Sequence, residues 1–447
     1  MSPATTRDSP GSGVGAIAAT IATTTAAIAA HHQGFFSRAA TMPSIKGRTT
    51  AVRSNPSSAM FTNGIVGAWS GSSGPRSLTM AGVTDPDRCP GVLRPHLAAD
   101  GAMVRIRVPG GQTTGTTIGQ LSRIAQRFGS ADLQLTSRAS LQLRGLAEPV
   151  PDGLIRAVQE AGFLPSETHE RVRNIIASPL TGITGGMTDV RPLVATLDAR
   201  LCAEPELAAL PSRFLFAVDD GRGDLSGMAF DLGYRAVDRD HGWLLVGGSG
   251  LGIPVAMDDA VAVLLDLAHQ FLAASLGSDE AWHVRDLPGW ASGLPAVRVI
   301  TLPQDPTGTP LGVVAGAASI QVPLALLTPG QAATVEAYAP GPVVITPSRG
   351  LVLSGAARHL PELVAAGMVD DPASPWSAIS ACVGAPSCQN SLINTRAYAT
   401  ALAQSGSPVP RTHVSGCDRR CGAPAGDHRD LVAPDVFDLL TLAGRAR

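Results

Sequence analysis

The chain has 447 residues, of which 44% are hydrophobic and 16% charged, and its formal net charge is −2. This composition is typical of a globular protein with several domains, and the charge gives no reason to expect nucleic-acid binding. Six cysteines, four of them in two close pairs, do not form the framework of a disulfide-rich secreted domain. We expect a cytoplasmic, monomeric protein with no nucleic-acid partner and no membrane partner.

Residues 1–80 are rich in Ala, Thr, Ser and Gly and show no periodic apolar pattern. Such a segment cannot bury enough apolar surface to offset the entropy lost on ordering. Residues 13–30 contain too many threonines and alanines for a membrane-spanning helix. We expect a disordered low-complexity extension, with a targeting segment or an anchor as the alternatives.

The first segment with a regular pattern falls within residues 81–155. MVRIRVPGG (103–111) alternates apolar and basic residues before two glycines, which predicts a strand and a tight turn. Residues 116–128 place their apolar side chains on one helical face. A second alternating strand over 133–145 and a short helix over 154–161 follow. This order predicts a ferredoxin-like α+β half-domain.

The same order of elements returns after residue 295. The second copy consists of a strand pair (311–322), a helix (330–338), a strand (343–355) and a helix (360–368). NIIASPLTG (174–182) likewise parallels SACVGAPSC (380–388). An internal duplication is the economical explanation, and chance similarity between two α+β segments is the alternative. We predict half-domains at 81–155 and 296–365, and larger α+β domains at 156–295 and 366–447.

A glycine-rich segment in the first larger domain, VGGSGLG (246–252), raises the question of nucleotide binding. Pro254 follows closely, and the glycines do not stand in the G-x-G-x-x-G order of a dinucleotide-binding turn. We interpret the segment as a plain loop. A reductant, if one is needed, would then be external.

Four cysteines near the C-terminus carry the most specific signal: Cys382, Cys388, Cys417 and Cys421. They form a C-x5-C pair and a C-x3-C pair separated by 28 residues. Four thiolates in one place can bind an iron–sulfur cluster or a structural zinc. The five-residue gap is longer than the spacing usual in zinc sites, which favours a cluster.

The C-x5-C and C-x3-C pairs resemble the cluster motifs of the sulfite and nitrite reductase family, in which such pairs hold a 4Fe-4S cluster beside a sirohaem. Within that family the precorrin-3B synthase branch is the most similar. The resemblance covers roughly residues 85–430. It implies an α+β fold with a pseudo-twofold duplicated architecture, made of two ferredoxin-like half-domains and two larger α+β domains.

Arginines on the predicted strands form a second candidate site. Arg105 and Arg107 are two residues apart and share a face of their strand, and Arg138 and Arg144 are six apart on the next. Taken alone, the pattern also fits an exposed, solvated sheet face. The resemblance instead implies that Arg105, Arg107 and Arg138 bind the carboxylates of a tetrapyrrole, with Gln142 and Arg144 on the same surface. Arginine suits this task because its guanidinium pairs with carboxylates bidentately.

Four further positions correspond to family residues that act at the macrocycle. Arg173 and Asn174 resemble the R-N step whose arginine lies over the distal face. Arg213 and Leu215 stand where the reductases carry two lysines that deliver protons and bind the anionic substrate. Lys46 is the chain's only lysine, so no other segment supplies that pair. Because arginine is a poor proton donor, this departure argues against sulfite or nitrite reduction.

The resemblance to the precorrin-3B synthase branch therefore implies an oxygen-dependent monooxygenase that converts precorrin-3A to precorrin-3B in aerobic cobalamin biosynthesis. It implies C20 hydroxylation and γ-lactone formation. The implied cofactors are the 4Fe-4S cluster and a mononuclear non-haem iron, whose ligands the sequence does not indicate. The implied electron donor is external, with NADH as the candidate reductant. The alternatives are an assimilatory reductase with bound sirohaem, and a non-catalytic iron–sulfur or zinc scaffold.

Overall fold

The computed structural model describes residues 87, 89–247, 249–276, 281–287, 289–302, 308–405 and 409–435. The extension predicted for residues 1–80 lies outside these ranges. No helix within them combines the length and the apolar character that a bilayer-crossing segment needs. The described chain is α+β and contains four sheets.

The first half-domain is an antiparallel sheet covered by helices. Ile118, Leu121 and Ile124 follow helical spacing and are buried against the sheet. Their helix begins where Thr114 Oγ1 accepts a hydrogen bond from the Thr117 backbone N–H. The elements are β1 (His96–Ala98), β2 (Gly101–Ile106), β3 (Gln112–Thr114), α1 (Gly115–Phe128), β4 (Leu133–Leu135), β5 (Leu141–Leu146) and α2 (Asp152–Glu160).

The single strand predicted over residues 133–145 is wrong. The segment forms a hairpin in which β4 and β5 pair antiparallel, and the chain turns back between Thr136 and Ser140. Ala139, inside the turn, has a φ of +51°. Alternation concealed the turn because its residues continue the pattern of the flanking strands. As a result, Arg138 lies at the tip of a hairpin and does not lie on a strand with Arg144.

The first larger domain is a six-stranded sheet with two helices on one face. Strands β6, β7 and β8 run parallel, and the remaining pairs are antiparallel. Phe214, Phe216 and Phe271 form the aromatic centre of its core. The elements are β6 (Ile175–Ala177), α3 (Arg191–Ala203), β7 (Phe216–Asp219), β8 (Leu232–Ala236), β9 (His241–Val246), β10 (Leu251–Ala256), α4 (Met257–Ser275) and β11 (Arg298–Val299).

The second half of the chain repeats both units in a shorter form. Its half-domain comprises β12 (Gly312–Val314), β13 (Ala317–Gln321), β14 (Leu326–Leu327), α5 (Pro329–Tyr338), β15 (Pro342–Ile345), β16 (Gly350–Leu353) and α6 (Leu360–Ala365). The larger unit comprises α7 (Pro375–Ala378), β17 (Ile379–Ala381), α8 (Thr395–Gln404), β18 (Thr412–Ser415) and β19 (Arg429–Val432), with its three strands parallel.

The two half-domains exchange strands reciprocally. Strand β3 of the first extends the sheet of the second by pairing with β15, and β14 of the second pairs with β4 of the first. Each sheet thus has the same order, with four strands of its own and one from the other half. The short turns before β3 and β14 also match, since Gly110 and Gly111 in one correspond to Leu324 and Ala325 in the other, all with positive φ. The duplicated, pseudo-twofold fold is confirmed.

Two of the predicted domain boundaries cut through elements. The boundary at 155/156 falls inside α2, whose Leu154 and Val158 belong to the core of the first half-domain. The boundary at 295/296 separates β11 from β10, its partner in the six-stranded sheet. Both predicted boundaries rest on the local composition of the sequence. The packing of α2 and the pairing of β11 depend on residues that are distant in the chain.

Gly111→Ala tests the strand exchange. A Cβ at Gly111 would lie 2.1 Å from the Ile345 carbonyl oxygen of β15, so the exchanged strand must move. We expect a loss of about 1–3 kcal/mol in the free energy of unfolding, measured by urea denaturation. The matched control is Gly162→Ala, which also has a positive φ but no atom within 4 Å of the added Cβ. Equal losses in both variants would show that the close approach to β15 costs nothing.

Candidate active site

One face of the first half-domain sheet carries the predicted binding residues. Alternation along β2 and β5 sends Val104, Leu141 and Leu143 into the core and Arg105 and Gln142 to the opposite face. Register pairs these last two residues directly, and Arg105 donates to Gln142 Oε1 from Nη2 at 2.6 Å and from Nε at 3.1 Å. The Gln142 amide in turn donates to Gln134 on β4. The face is therefore polar and internally ordered.

Arg107 is the most deeply buried cation on this surface, with 2% of the residue exposed. Its guanidinium donates to the backbone carbonyls of Pro90 and Arg171, and its Nε has no partner. Burial, together with the neighbouring charge of Arg105, lowers its pKa to about 9. Arginine keeps its proton in proteins, so the lowered pKa reflects a buried charge that Glu170 and a Cys89 thiolate offset only in part.

Arg138 reaches the same region from the hairpin tip, where its Nη1 donates to the Arg213 carbonyl oxygen at 3.0 Å. Burial lowers the pKa of Arg138, as it does that of Arg105. No carboxylate of the described residues forms an ion pair with Arg105, Arg107 or Arg138. We call these three the arginine cluster. It fits an incoming polyanion because a fixed guanidinium gains most from a carboxylate that replaces lost water.

Cys89, which the sequence interpretation treated as an ordinary thiol, lies beside the arginine cluster. The charge of a Cys89 thiolate would raise the pKa of all three arginines. The residue also lines a cavity of about 300 Å³ with Arg94, His96 and Arg171. Its proximity could not be predicted because residues 89 and 138 are far apart in the chain.

Arg144, Arg173 and Asn174 differ from the arginine cluster because their side chains already have partners. Arg144 pairs with Asp100 through Nε and Nη2 at 3.0 and 2.9 Å. Arg173 pairs with Asp198 at 2.7 and 2.6 Å and is buried. Asn174 Nδ2 donates to the carbonyls of Arg171 and Ser212. Both arginines thus already have a carboxylate partner, while the substrate-binding role of Arg144 and the catalytic roles of Arg173 and Asn174 stay predictions.

Arg213 lies with its guanidinium carbon 5.0 Å from the centre of the Trp282 ring. Leu215, at the second position of the reductase lysines, is 1% exposed and packs in the core of the first half-domain. The pair of cations that the reductases carry on this strand is thus reduced to one arginine stacked on an indole. Neither side chain can deliver a proton.

The four cysteines of the C-terminal motifs lie on two loops at one edge of a parallel sheet. Cys382 follows β17 and Cys417 follows β18, and parallel pairing brings the ends of these strands together. The Gly416 N–H donates to Cys382 Sγ at 3.3 Å, which joins the loops directly. Burial raises the pKa of the Cys421 thiol, and Cys382, Cys417 and Cys388 raise it further through their negative charges. All four thiols are free and near one another.

Two glycines make this proximity sterically feasible. A Cβ at Gly416 would lie 1.7 Å from Ser391 Oγ, and a Cβ at Gly384 would lie 2.3 Å from Thr395 Oγ1. Gly384 also has a φ of +70°. The loops can approach only because both positions lack a side chain.

The arrangement distinguishes a cluster from a single ion. Zinc needs its ligands at one centre, with Zn–S distances of about 2.3 Å. Among the described residues, no group of three or more His, Cys, Asp or Glu side chains could hold one metal ion. In an iron–sulfur cluster each thiolate binds its own iron, so the sulfurs surround the cluster and do not converge. Four free thiols near one another provide the ligand set that such a cluster needs.

Comparison with known proteins agrees with this geometry. Residues 95–161 match the family model described as nitrite/sulfite reductase ferredoxin-like half domain. The ferredoxin–nitrite reductase of Synechococcus elongatus is 26% identical, covering 72% of this chain and 74% of that protein. A precorrin-3B synthase from Sinorhizobium sp is 25% identical, covering 79% and 82%. Over most of its length the chain is thus similar to members of the nitrite and sulfite reductase superfamily.

The structure of Mycobacterium tuberculosis NirA shows the same fold, with a TM-score of 0.54 and 18% identity over 72% of this chain and 69% of that chain. The duplicated superfamily fold explains how the two candidate sites are joined. Arg144 Nη2 donates to the Ser387 carbonyl in the first cysteine loop at 3.0 Å. Arg349, from the matching hairpin of the second half-domain, donates to the Gly422 carbonyl in the second loop at 2.6 Å. Each half-domain therefore anchors one cysteine loop.

Cys417→Ser tests the cluster assignment. A serine oxygen is a poor substitute for thiolate at an iron, so we expect anaerobically purified protein to lose the iron, the acid-labile sulfide and the broad absorption near 400 nm. The control is Cys202→Ser on α3, which lies outside both loops and should keep its iron content. Full iron and sulfide in Cys417→Ser would remove this residue from the ligand set.

Proposed function

We propose that this chain is an oxygen-dependent monooxygenase that converts precorrin-3A to precorrin-3B in aerobic cobalamin biosynthesis. One oxygen atom of O₂ enters the macrocycle at C20, accompanied by formation of a γ-lactone from a ring-A acetate. The other oxygen leaves as water, which takes two electrons and two protons. The electrons come from an external reductant, NADH or a protein that draws on it.

The arginine cluster is the observation that carries the proposal. Precorrin-3A bears several acetate and propionate groups. Arg107 is buried, Arg105 and Arg138 are half-buried, and none of the three forms an ion pair with a carboxylate of the described residues. The cluster shares its sheet face with Gln142, which holds Arg105 in place. Substrate carboxylates bound here would restore the lost solvation of the guanidinium groups. The ring would then lie across the face of β2 and β5.

The cysteine loops are suited to bring electrons to this face. A 4Fe-4S cluster on Cys382, Cys388, Cys417 and Cys421 would transfer single electrons when bound. The contact between Arg144 and Ser387 keeps the first cysteine loop against the sheet that carries the arginine cluster. The chain's own contribution is thus to fix the electron source and the polyanion site on one rigid support.

The predicted mononuclear non-haem iron does not find its ligands here. Among the described residues, no group of three or more His, Cys, Asp or Glu side chains could hold a single iron ion. The segment around 246–252 is equally unsuited to NADH, since it forms the connection between β9 and β10, which pair as an antiparallel hairpin. A separate electron donor would supply the electrons that this segment does not provide.

A sirohaem-dependent nitrite or sulfite reductase is the second candidate. It is favoured by the names of the relatives, which include several nitrite reductases and the sulfite reductase hemoprotein of Acidithiobacillus ferrooxidans. Arg213 and the buried Leu215 speak against it, because the reaction needs repeated protonation beside the bound anion. The absorption spectrum separates the two candidates, since sirohaem has a strong Soret band and a lone cluster has only a broad shoulder.

Arg138→Ala tests the binding site. Removal of one charge-assisted contact should cost about 1.5–3 kcal/mol, which raises the Kd for precorrin-3A about 10- to 150-fold. Binding is measured anaerobically through quenching of tryptophan fluorescence. Arg127→Ala is the control, because Arg127 is exposed on α1 and lies over Phe128. An unchanged Kd in Arg138→Ala would take this residue out of the pocket.

A further inference from the structure

The proposed reaction needs two protons, and the cations beside the ligand cannot supply them. Arginine holds its proton at any relevant pH, and Lys46, the chain's only lysine, lies outside the described residues. A histidine is the side chain that exchanges protons near neutral pH. The question is which described histidine lies at the arginine cluster.

His283 is held there by a buried carboxylate. Asp231, which is 1% exposed, accepts hydrogen bonds from the backbone N–H groups of Leu215 and Val284 at 2.8 and 3.0 Å. His283 Nδ1 lies 3.1 and 3.2 Å from the two oxygens of the same carboxylate. Nδ1 therefore carries the proton that Asp231 accepts, as in other Asp–His pairs. Nε2 makes no hydrogen bond to the described residues, and 14% of the side chain is exposed.

The neighbours of His283 connect it to the arginine cluster on both sides. The ring of Trp282, the preceding residue, lies against the Arg213 guanidinium. The backbone carbonyl of Arg213 accepts a hydrogen bond from Arg138. Arg285, after it, lies close enough to Arg138 to lower that residue's pKa, and Asp231 lies close enough to raise it. Arg285 also lines a cavity of about 470 Å³ over β8 and β9. His283 thus lies in the chain between Trp282, which contacts Arg213 of the segment that Arg138 reaches, and Arg285, which lines this cavity.

Other described histidines are occupied or lie elsewhere. His169 uses both ring nitrogens within the protein. His241 and His269 pair with Asp238 and Glu204, away from the cluster. His413 and His428 lie beside the cysteine loops. His359 packs against the Tyr338 ring in the second half-domain. His96, exposed on β1, lines the smaller cavity near Cys89 and is the remaining competitor.

We propose that His283, positioned by Asp231, donates protons from Nε2 to the ligand bound at the arginine cluster. This role rests on the proposed function. For each O₂ consumed, His283 passes one proton at a time to the oxygen that leaves as water and is reprotonated from solvent, while the electrons come from the external reductant. The charged groups that face it are Asp231, Asp286, Arg138, Arg213 and Arg285.

The test measures the pH dependence of precorrin-3A turnover in the full chain with its cluster. A proton donor must be protonated, so wild-type activity should fall as pH rises through the pKa of the donor. We expect His283→Gln to lower kcat by about 10²- to 10⁴-fold and to abolish this fall. The anaerobic Kd for precorrin-3A should not change. Imidazole should restore part of the activity of His283→Gly, and Asp231→Asn should lose activity in part because the ring is no longer oriented.

His269→Gln is the matched control, because His269 also pairs with a carboxylate, Glu204, at 2.7 Å. It should keep the wild-type kcat and pH profile. A wild-type profile in His283→Gln, or loss of the alkaline limb in His96→Gln, overturns the proposal. So does a Kd that rises in proportion to the loss of kcat, since that indicates a structural defect.

A readout without turnover is provided by diethyl pyrocarbonate, which modifies free imidazole nitrogens. Precorrin-3A bound under anaerobic conditions should slow modification of His283 but not of the exposed His241, as mapped by mass spectrometry. Equal rates with and without ligand would show that Nε2 does not face the ligand.

Failure of the proposed function would be recognised separately. If the wild-type chain does not oxygenate precorrin-3A, the same variants are assayed for sulfite reduction after reconstitution with sirohaem, because that reaction also consumes protons. An unaltered pH profile of His283→Gln in that assay overturns the role of His283, whichever substrate is the natural one.

Discussion

The constraint that shapes this site is a set of three guanidinium groups, one buried and two half-buried, that form no ion pair with a carboxylate of the described residues. A desolvated cation costs several kcal/mol unless an anion or hydrogen bonds replace its water. The protein supplies only part of this through carbonyl oxygens, such as those of Pro90 and Arg213, and through the amide of Gln142. The Nε of Arg107 remains unpartnered. The fold thus maintains a charged surface that only a bound polyanion can complete.

That cost is sustained by the rigidity of the duplicated core. Because β3 and β14 each complete the sheet of the other half, neither half-domain can move without breaking backbone pairing in its partner. The same architecture fixes the cysteine loops, since Arg144 from a strand of the first sheet and Arg349 from a hairpin turn of the second each donate to one loop. Preorganised charges beside a preorganised electron source need little rearrangement when a ligand binds.

Features that depend on a local pattern could be predicted from the sequence. Contacts between residues distant in the chain could not. Helical spacing predicted α1, and the duplication followed from the recurrence of one order of elements. The hairpin between β4 and β5 was missed because a turn at Thr136 does not interrupt the alternation. The pairing of Arg144 with Asp100, 44 residues away, and of Arg173 with Asp198, 25 residues away, could not be predicted from composition. The sequence therefore could not separate Arg144 and Arg173, which have a carboxylate partner, from the three arginines of the arginine cluster, which form no ion pair.

The same limit applies to proton supply, and here the structure changes the interpretation. From the sequence alone, Arg213 and Leu215 indicate only that the two reductase lysines are missing, and they do not indicate what replaces them. In space, Leu215 still contributes, because its backbone N–H binds the Asp231 carboxylate that holds His283. The segment that lacks the two lysines thus fixes, through the Leu215 N–H, the carboxylate that orients His283. A histidine exchanges its proton near neutral pH with little cost, whereas a lysine must first lose several units of pKa through burial or neighbouring charge. For a reaction that consumes two protons per O₂, a histidine oriented by a buried carboxylate is a physically sufficient replacement for the missing pair.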